Sequence, residues 1–171
     1  GVGVAGMCWN CKLMFVKAMQ ASGAANYSDV AKAVQYAASN GAQVINLSLG
    51  GYADSAVLHD AIREAATTAV IVAGAGNDDS ANVFYPAAYP EVLAVAATDQ
   101  NDQKTVFSNY GPWVDVTAPG TDIRTTTLGG YTTGSGTSLS AALVSGLECR
   151  LCNGRRSLLD CDGAAQRRPS L

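Results

Sequence analysis

Residues 69–77, AVIVAGAGN, are the stretch of the sequence that decides the fold. Five apolar residues in a row predict a strand buried on both faces, and the glycines after them predict a sharp turn at its end. Runs of similar character lie on either side along the chain. They are residues 12–18 (KLMFVKA), 44–49 (VINLSL), 92–97 (VLAVAA) and 113–117 (WVDVT). We therefore expect several strands of one mainly parallel sheet.

Helical periodicity separates most of the predicted strands. Apolar residues recur at helical spacing from residue 30 to 38, before a stop at Asn40-Gly41, and again from about Ser55 to Thr67. A last helix is predicted from Ser138 to Leu147. Strands alternating with helices predict the α/β class, with helices on both faces of the sheet in three layers, α/β/α. Right-handed crossovers would bring the carboxyl ends of the strands, and their glycine turns, to one edge.

The composition bounds the kind of protein. With 171 residues, 48% of them apolar and 15% charged, the sequence predicts a compact, well-buried fold. The net charge of −3 gives no reason to expect a nucleic-acid partner. No apolar run approaches the roughly 20 residues that span a bilayer, so we expect no membrane partner.

The two ends of the sequence differ from its centre. The chain opens at Gly1-Val2-Gly3 without a methionine or a signal-like segment, which we interpret as an internal cut. Residues 150–171 contain five basic and two acidic residues, a balance of +3, whereas residues 1–149 have a balance of −6. We expect residues 1–149 to form a truncated domain and residues 150–171 to be an appendage, frameshifted or disordered.

Two segments could support chemistry. In residues 134–142, GSGTSLSAA, Ser138 stands at the first turn of the last predicted helix, where free N–H groups and the helix dipole favour negative charge. Ser138 could equally be an ordinary N-cap. Asn77 closes the turn after the strand at residues 69–73, where it could stabilise the turn or donate its amide N–H to an oxyanion.

Together these segments resemble the subtilisin-like serine proteases, and in particular the thermitase-like members of that family. The resemblance covers about residues 3–147 and follows the order and spacing of the family motifs. The matching stretches are NLSLGG (46–51), AGN (75–77), YPAAYP (85–90), VLAVAATDQND (92–102), FSNYG (107–111), DVTAPG (115–120) and SGTS (135–138). The resemblance implies an incomplete subtilisin-like fold.

The resemblance also implies roles for single residues. Ser138 would be the nucleophile, and Asn77 would be an oxyanion donor beside the backbone N–H of Ser138. An extended peptide or ester substrate would contact two short segments: Ser48, Leu49 and Gly50 would pair with it, while Ala73, Gly74 and Ala75 would line its side-chain pocket. No cofactor is required, but a weak calcium or monovalent-cation site is expected at four matching positions, Ala87, Tyr89, Val92 and Asp115.

The departures from the family pattern limit the expected activity. In the family, a catalytic aspartate and histidine precede the segment that matches Gly3–Gly6, so we expect both to be absent. The proline and histidine that usually follow the nucleophile are replaced by residues 141–143, AAL. The lone His59 is expected on a helix surface. We therefore expect weak esterase or peptidase activity through Ser138; the alternative is a non-catalytic, peptide-binding remnant that needs a complementing N-terminal segment.

Five cysteines include two Cys-x-x-Cys pairs, at residues 8–11 and 149–152. A zinc site joining the pairs is conceivable, but a local disulfide or thiol pair between Cys8 and Cys11 is the favoured interpretation. The family is typically secreted.

Without the family's first strand and histidine helix, an apolar surface around four residues should be uncovered and should drive homo-oligomer formation. These residues are Val2, Val4, Leu143 and Val144.

Overall fold

The structure, a computed structural model, describes residues 3–153. Its elements alternate along the chain before a hairpin and a final long helix. In order they are α1 (Tyr27–Ser39), β1 (Val44–Leu47), α2 (Ala56–Ala65), β2 (Val70–Gly74), β3 (Val92–Thr98), β4 (Val116–Pro119), β5 (Ile123–Thr127), β6 (Gly130–Gly134) and α3 (Thr137–Asn153). No helix in this range is both long enough and apolar enough to cross a membrane.

Strands β1 to β4 form one parallel sheet in sequential order. The register pairs Ile45 with Ile71, Val72 with Leu93, and Val95 with Val116. Every residue of β2 and β3 is buried, because helices cover both faces of the sheet. The predicted α/β class with a mainly parallel sheet is confirmed.

The two faces of the sheet have separate cores. On one face, alternate strand residues such as Ile71 and Ala94 pack with Val34 of α1 and with Leu58 and Ile62 of α2. Among residues 3–153, α3 is the only helix that packs on the other face. There the intervening strand residues pack with α3, in a cluster of Val70, Val72, Leu93, Val95, Ala118, Ala141 and Val144. This alternation places α2 and α3 on opposite sides of the sheet.

The starts of α1 and α2 differ in their capping. Ser55 precedes α2 in an extended conformation, and its Oγ accepts a hydrogen bond from the backbone N–H of Leu58 at 3.4 Å. Helix α1 begins after Asn26, which makes no side-chain cap bond. Helix α3 continues to Asn153, six residues beyond the predicted end at Leu147.

One predicted strand does not form, and the structure contains a hairpin that the sequence did not predict. Residues 12–18 form no strand, and two of their apolar side chains, Leu13 and Phe15, are 78% and 90% exposed. A strand needs a neighbour to satisfy its backbone groups, and β1 is the edge of the described sheet. The β5–β6 hairpin has no counterpart among the predicted elements, because its threonine- and glycine-rich residues lack an apolar run.

The C-terminal appendage predicted at residues 150–171 lies mostly outside the described residues. Its first four residues, 150–153, continue helix α3 without a break.

Candidate active site

A cavity of about 230 Å³ lies where the carboxyl ends of β1 and β2 meet the start of α3. The co-location that right-handed crossovers predict at this edge is therefore observed. The lining residues come from four segments that are distant in sequence. They are Ser48, Leu49, Gly50, Gly74, Gly76, Asn77, Asp78, Phe84, Thr137 and Ser138.

The first turn of α3 is bound directly to the turn after β2. The backbone N–H of Thr137 donates to Oδ1 of Asn77 at 2.9 Å, and the Thr137 hydroxyl accepts from the backbone N–H of Gly76 at 3.1 Å. A Cβ on Gly74 would lie only 3.0 Å from the Thr137 carbonyl oxygen. Glycine is thus needed at position 74, because the strand end and the helix start touch backbone to backbone.

Two hydrogen-bond donors flank Gly136 at the cavity. A Cβ placed on Gly136 would lie 3.8 Å from Nδ2 of Asn77 and 3.9 Å from the backbone nitrogen of Ser138. Because Oδ1 of Asn77 accepts the hydrogen bond from Thr137, the NH₂ group of the same amide points away from Thr137. Within residues 3–153, neither Nδ2 of Asn77 nor the N–H of Ser138 has a hydrogen-bond acceptor. Such a donor pair at a helix N-terminus favours an anionic oxygen.

Helix α3 is also fastened to β1 by a chain of polar side chains. Ser145 donates through its hydroxyl to Oδ1 of Asn46 at 2.9 Å, and Nδ2 of Asn46 donates to Oγ of Ser48 at 2.9 Å. The Ser48 hydroxyl then donates to the carbonyl oxygen of Ser138 at 2.8 Å. These bonds hold the backbone of Ser138 over the end of β1.

The only histidine of the sequence is remote from this edge. His59 lies in α2, where its Nε2 is 3.0 Å from a carboxylate oxygen of Glu91 and its ring stacks on Tyr89 with centroids 4.1 Å apart. Helix α2 covers the opposite face of the sheet from α3. Among the described residues, no side chain hydrogen-bonds to the Ser138 hydroxyl.

Most of the residues predicted for the site come together, and two do not. Ser138, Asn77, Ser48, Leu49, Gly50 and Gly74 all line the cavity. Ala73 and Ala75 are instead fully buried in the core on the α1–α2 side. The reason is the alternation of a strand: Gly74 faces the helix start, so the side chains on either side of it point to the other face.

Sequence reasoning missed several residues that shape the site. The carbonyl oxygen of the Asn109 side chain accepts from the backbone N–H groups of Asp78 at 2.9 Å and Ser80 at 3.1 Å. Asn109 is fully buried, and these two hydrogen bonds fix the turn that bears Asn77. The FSNYG stretch matches a family motif, but nothing in its sequence indicates which backbone groups it binds. No sequence signal points to Phe84 either.

The predicted cation site has a donor set with little charge. Ala87 and Val92 have no polar side-chain atom, so they could offer only main-chain carbonyl oxygens, and Tyr89 could offer its carbonyl or its phenol; all three residues are buried. Of these, the Tyr89 carbonyl already accepts from the N–H of Val92 at 3.0 Å, and Oδ2 of Asp115 accepts from the N–H of Ala94 at 2.8 Å. With one carboxylate, this set suits a monovalent cation better than Ca²⁺.

Comparison with known proteins supports the same assignment. The model of the Subtilase family matches residues 1–158. A thermophilic serine proteinase of Bacillus sp. (strain AK1) is 44% identical over 160 residues, which are 92% of this chain and 40% of that protein. Subtilisin Savinase of Lederbergia lenta is 39% identical over 147 residues, 85% of this chain and 55% of the relative. The chain thus spans about half, or less, of the length of these relatives.

Solved structures agree with the fold. A protease of Pseudoalteromonas arctica superimposes with a TM-score of 0.85 at 30% identity, covering 90% of this chain and 54% of that one. A cold-adapted subtilisin-like serine proteinase gives a TM-score of 0.78 at 32% identity, covering 85% and 54%. The order of motifs, the parallel sheet and the match over residues 1–158 together show that the chain belongs to the subtilase family.

Proposed function

We propose that this chain is the nucleophile-bearing part of a subtilisin-like serine peptidase, with Ser138 as the attacking residue. The observation that supports this most is the donor pair beside Gly136, Nδ2 of Asn77 and the N–H of Ser138, at the start of α3 and on the wall of the cavity. A serine at a helix N-terminus alone would be weak support. A second, independent donor from another segment, with its amide oriented by Thr137, makes the site specific.

In the proposed reaction, Oγ of Ser138 attacks the substrate carbonyl carbon. The carbonyl oxygen becomes an oxyanion, which accepts hydrogen bonds from Asn77 and from the Ser138 backbone, helped by the positive end of α3. Collapse of the tetrahedral intermediate expels the amine or alcohol and leaves an acyl-serine. The leaving group takes up, through solvent, the proton that the Ser138 hydroxyl gave up on attack. Water then attacks the acyl-serine and releases the acid, restoring the hydroxyl.

The general base for Ser138 is the part of the reaction that the described residues do not supply. His59 is held by Glu91 and Tyr89 on the far face of the sheet. An unactivated serine hydroxyl is a poor nucleophile toward amides. In subtilisin itself, removal of triad members still leaves roughly 10³- to 10⁴-fold acceleration over water. We therefore expect the chain alone to turn over activated esters slowly and peptides hardly at all.

The substrate would lie in extended conformation along residues 48–50. Gly50 packs closely on Phe84, since an added Cβ would meet the Phe84 ring at 2.4 Å and the Tyr85 carbonyl oxygen at 2.5 Å, so only glycine fits there. Asp78 at the rim accepts a hydrogen bond from the Tyr52 hydroxyl at 2.7 Å. Its negative charge should disfavour substrates with an acidic side chain in the cavity.

The decisive experiment is labelling with a fluorophosphonate together with hydrolysis of a nitrophenyl ester. The wild-type chain should be labelled at Ser138, and Ser138→Ala should lose both the label and the ester rate above background. Ser39→Ala is the matched control, because Ser39 is an exposed serine at the end of α1 that neither lines the cavity nor takes part in the hydrogen bonds around it. Equal ester rates for wild type and Ser138→Ala would remove Ser138 from the mechanism.

A second function, peptide binding without turnover, is favoured by the placement of His59 on the far face. In this case the chain would bind an extended peptide at residues 48–50 and would act only when a histidine-bearing segment complements it. Fluorescence anisotropy with a labelled peptide separates the two functions. Binding by a chain that no fluorophosphonate labels supports the second, and labelling that appears only after a synthetic segment is added supports complementation.

We further propose a bound monovalent cation at Ala87, Tyr89, Val92 and Asp115. The three main-chain carbonyls and single carboxylate support this choice over calcium. Thermal unfolding in potassium, sodium and calcium chlorides at equal ionic strength tests it: a higher melting temperature in one monovalent salt supports the site, and equal values in all three argue against it.

We also propose that the chain associates with copies of itself. Of the residues expected to be uncovered, Val144 is only 5% exposed, whereas Val4 and Leu143 are half-buried; Val2 lies outside the described residues. Three large apolar side chains of the N-terminal segment, Trp9, Leu13 and Phe15, are exposed instead. Light scattering at micromolar concentration should detect dimers or larger species, and a monomer would contradict this proposal.

A further inference from the structure

Three cysteine sulfurs converge at the end of α3 that is far from the active site. The Sγ atoms of Cys8, Cys11 and Cys149 all lie within 4.8 Å of one another. Cys8 and Cys11 form a disulfide in this structure, with their Cα atoms 5.5 Å apart. The sequence favoured a local disulfide or thiol pair between Cys8 and Cys11; the structure has the disulfide and places a third sulfur beside it. A disulfide needs only two.

The convergence follows from close packing of the N-terminal loop on the helix. A Cβ added to Gly146 of α3 would lie 2.8 Å from Cβ of Met7, the residue just before Cys8. The missing side chain at position 146 thus lets the loop approach α3. Cys152 lies three residues beyond Cys149 on the same helix, and residues at this spacing share a face. Cys152 itself takes part in a disulfide in this structure.

We propose that, in the reduced chain, these cysteines form a zinc site in which Cys8, Cys11 and Cys149 are ligands and Cys152 is the fourth. Two Cys-x-x-Cys pairs that meet in space are the usual ligand set of a structural zinc. With a Zn–S bond of about 2.3 Å, the sulfurs of a tetrahedral site are about 3.8 Å apart. Three of the four sulfurs already lie within 4.8 Å of one another and need only small movements to reach that spacing. The sulfur of Cys152 is not in this group, so it must leave its disulfide and turn toward the other three.

The chemistry of loading requires a reductant, which we take to be a thiol or phosphine. Each disulfide gains two electrons and two protons and becomes two thiols. Zn²⁺ then binds four thiolates and displaces their four protons, giving a complex of charge −2. The disulfide form and the zinc form are therefore alternative states of the same group, and the redox surroundings select between them.

The site would be structural rather than catalytic. Cys149 is eleven residues beyond Ser138 in α3, about 16 Å along the helix axis, so zinc there cannot touch the reacting atoms. It would instead fasten the segment before α1, which contains no helix or strand among its described residues, to the end of the longest helix. Metal binding should thus raise the stability of the whole domain.

Cobalt titration of the reduced full-length chain tests the proposal. The protein is reduced with a phosphine, freed of metal under anaerobic conditions, and titrated with Co²⁺. We expect one Co²⁺ per chain, with the strong visible bands of tetrahedral cobalt and a thiolate-to-cobalt charge-transfer band, both abolished by one equivalent of Zn²⁺. A reduced chain that gives no such bands would overturn the proposal. The oxidised group would then be only a disulfide beside a thiol.

Matched variants identify the ligands. Cys149→Ser should weaken Co²⁺ binding by more than the roughly 10- to 100-fold that loss of an outer-shell partner produces. Cys161→Ser, which removes the one cysteine outside both pairs, should bind Co²⁺ like the wild type. If Cys149→Ser does not fold, Cys8→Ser serves in its place. Unchanged cobalt bands in the Cys8 or Cys149 variant would show that the two pairs do not share a metal.

Discussion

The two faces of the central sheet bury similar aliphatic side chains but present very different chemistry. The face under α3 ends in the cavity, where the first turn of the helix is bound to the turns after β1 and β2. The face under α1 and α2 contains the ionisable cluster of His59, Glu91, Tyr89 and Asp54. The comparison teaches that a histidine and the proposed nucleophile, Ser138, do not form a site in one domain when the sheet separates them.

The largest effect is expected from Asn77 on the α3 face. Asn77→Ala removes one of the two proposed oxyanion donors and should slow ester hydrolysis or fluorophosphonate labelling by roughly 10²- to 10³-fold, the loss measured when subtilisin itself is stripped of its oxyanion asparagine. Asn77→Asp keeps an acceptor for the Thr137 N–H but replaces the NH₂ group by an anionic oxygen. Its rate should be at least as low, whereas recovery in Asn77→Asp would show that orientation of Thr137 is the main role.

A smaller effect, on stability, is expected at Gly76. Gly76 has a φ of +104°, and a Cβ there would meet Nδ2 of the buried Asn109 at 2.3 Å. Gly76→Ala should lower the free energy of unfolding by about 3 kcal/mol, because strain adds to displacement of a hydrogen-bonded side chain.

Gly41, after α1, is the matched control for Gly76. It has a φ of +83°, but nothing lies within 4 Å of an added Cβ. Gly41→Ala should therefore cost only about 1 kcal/mol of backbone strain in urea unfolding. Equal decreases in the free energy of unfolding for Gly76→Ala and Gly41→Ala would contradict tighter packing at the α3 edge than at the end of α1.

On the opposite face, stability should depend on alkaline pH through Tyr89. Burial raises the pKa of Tyr89 to about 12, although its hydrogen bond with the Ser55 backbone works the other way. A folded-state pKa above the unfolded value of 10.0 means that its stabilisation is complete below pH 10 and is lost between pH 10 and 12. The loss should be about 2–3 kcal/mol.

Urea unfolding at intervals from pH 9 to 12 measures this dependence. Tyr89→Phe has no phenol to titrate, so its stability should start lower, because Asp54 loses a hydrogen bond, and should fall less steeply. Parallel curves for the variant and the wild type would assign the alkaline loss to other groups.

The smallest effect is expected from His59. His59→Gln should change the free energy of unfolding by no more than about 1 kcal/mol, since it removes one part-buried pair and a ring contact. The ester and labelling rates should not change, because the sheet lies between α2 and Ser138. A large fall in either rate with an intact fold would mean that His59 does reach the site.

Much of the fold was accessible from the sequence because its patterns are local. The buried runs at residues 69–73 and 92–97 and the helical periodicity from about Ser55 to Thr67 place β2, β3 and α2 within a few residues of their observed bounds. The run at residues 12–18 has the same apolar character yet forms no strand, because strand formation depends on a partner that is not encoded within the run. The β5–β6 hairpin shows the converse, since pairing makes strands of residues with little apolar character.

The sequence by itself determined the family, the layered α/β class and the positions of Ser138 and Asn77, because strand and helix periodicity and short motifs are properties of neighbouring residues. Only the tertiary structure decided which groups meet. It oriented the Asn77 amide through Thr137, moved Ala73 and Ala75 into the core, separated His59 from Ser138, and brought Cys149 to Cys8 and Cys11. These outcomes depend on packing between segments far apart in the chain, and no local pattern encodes that.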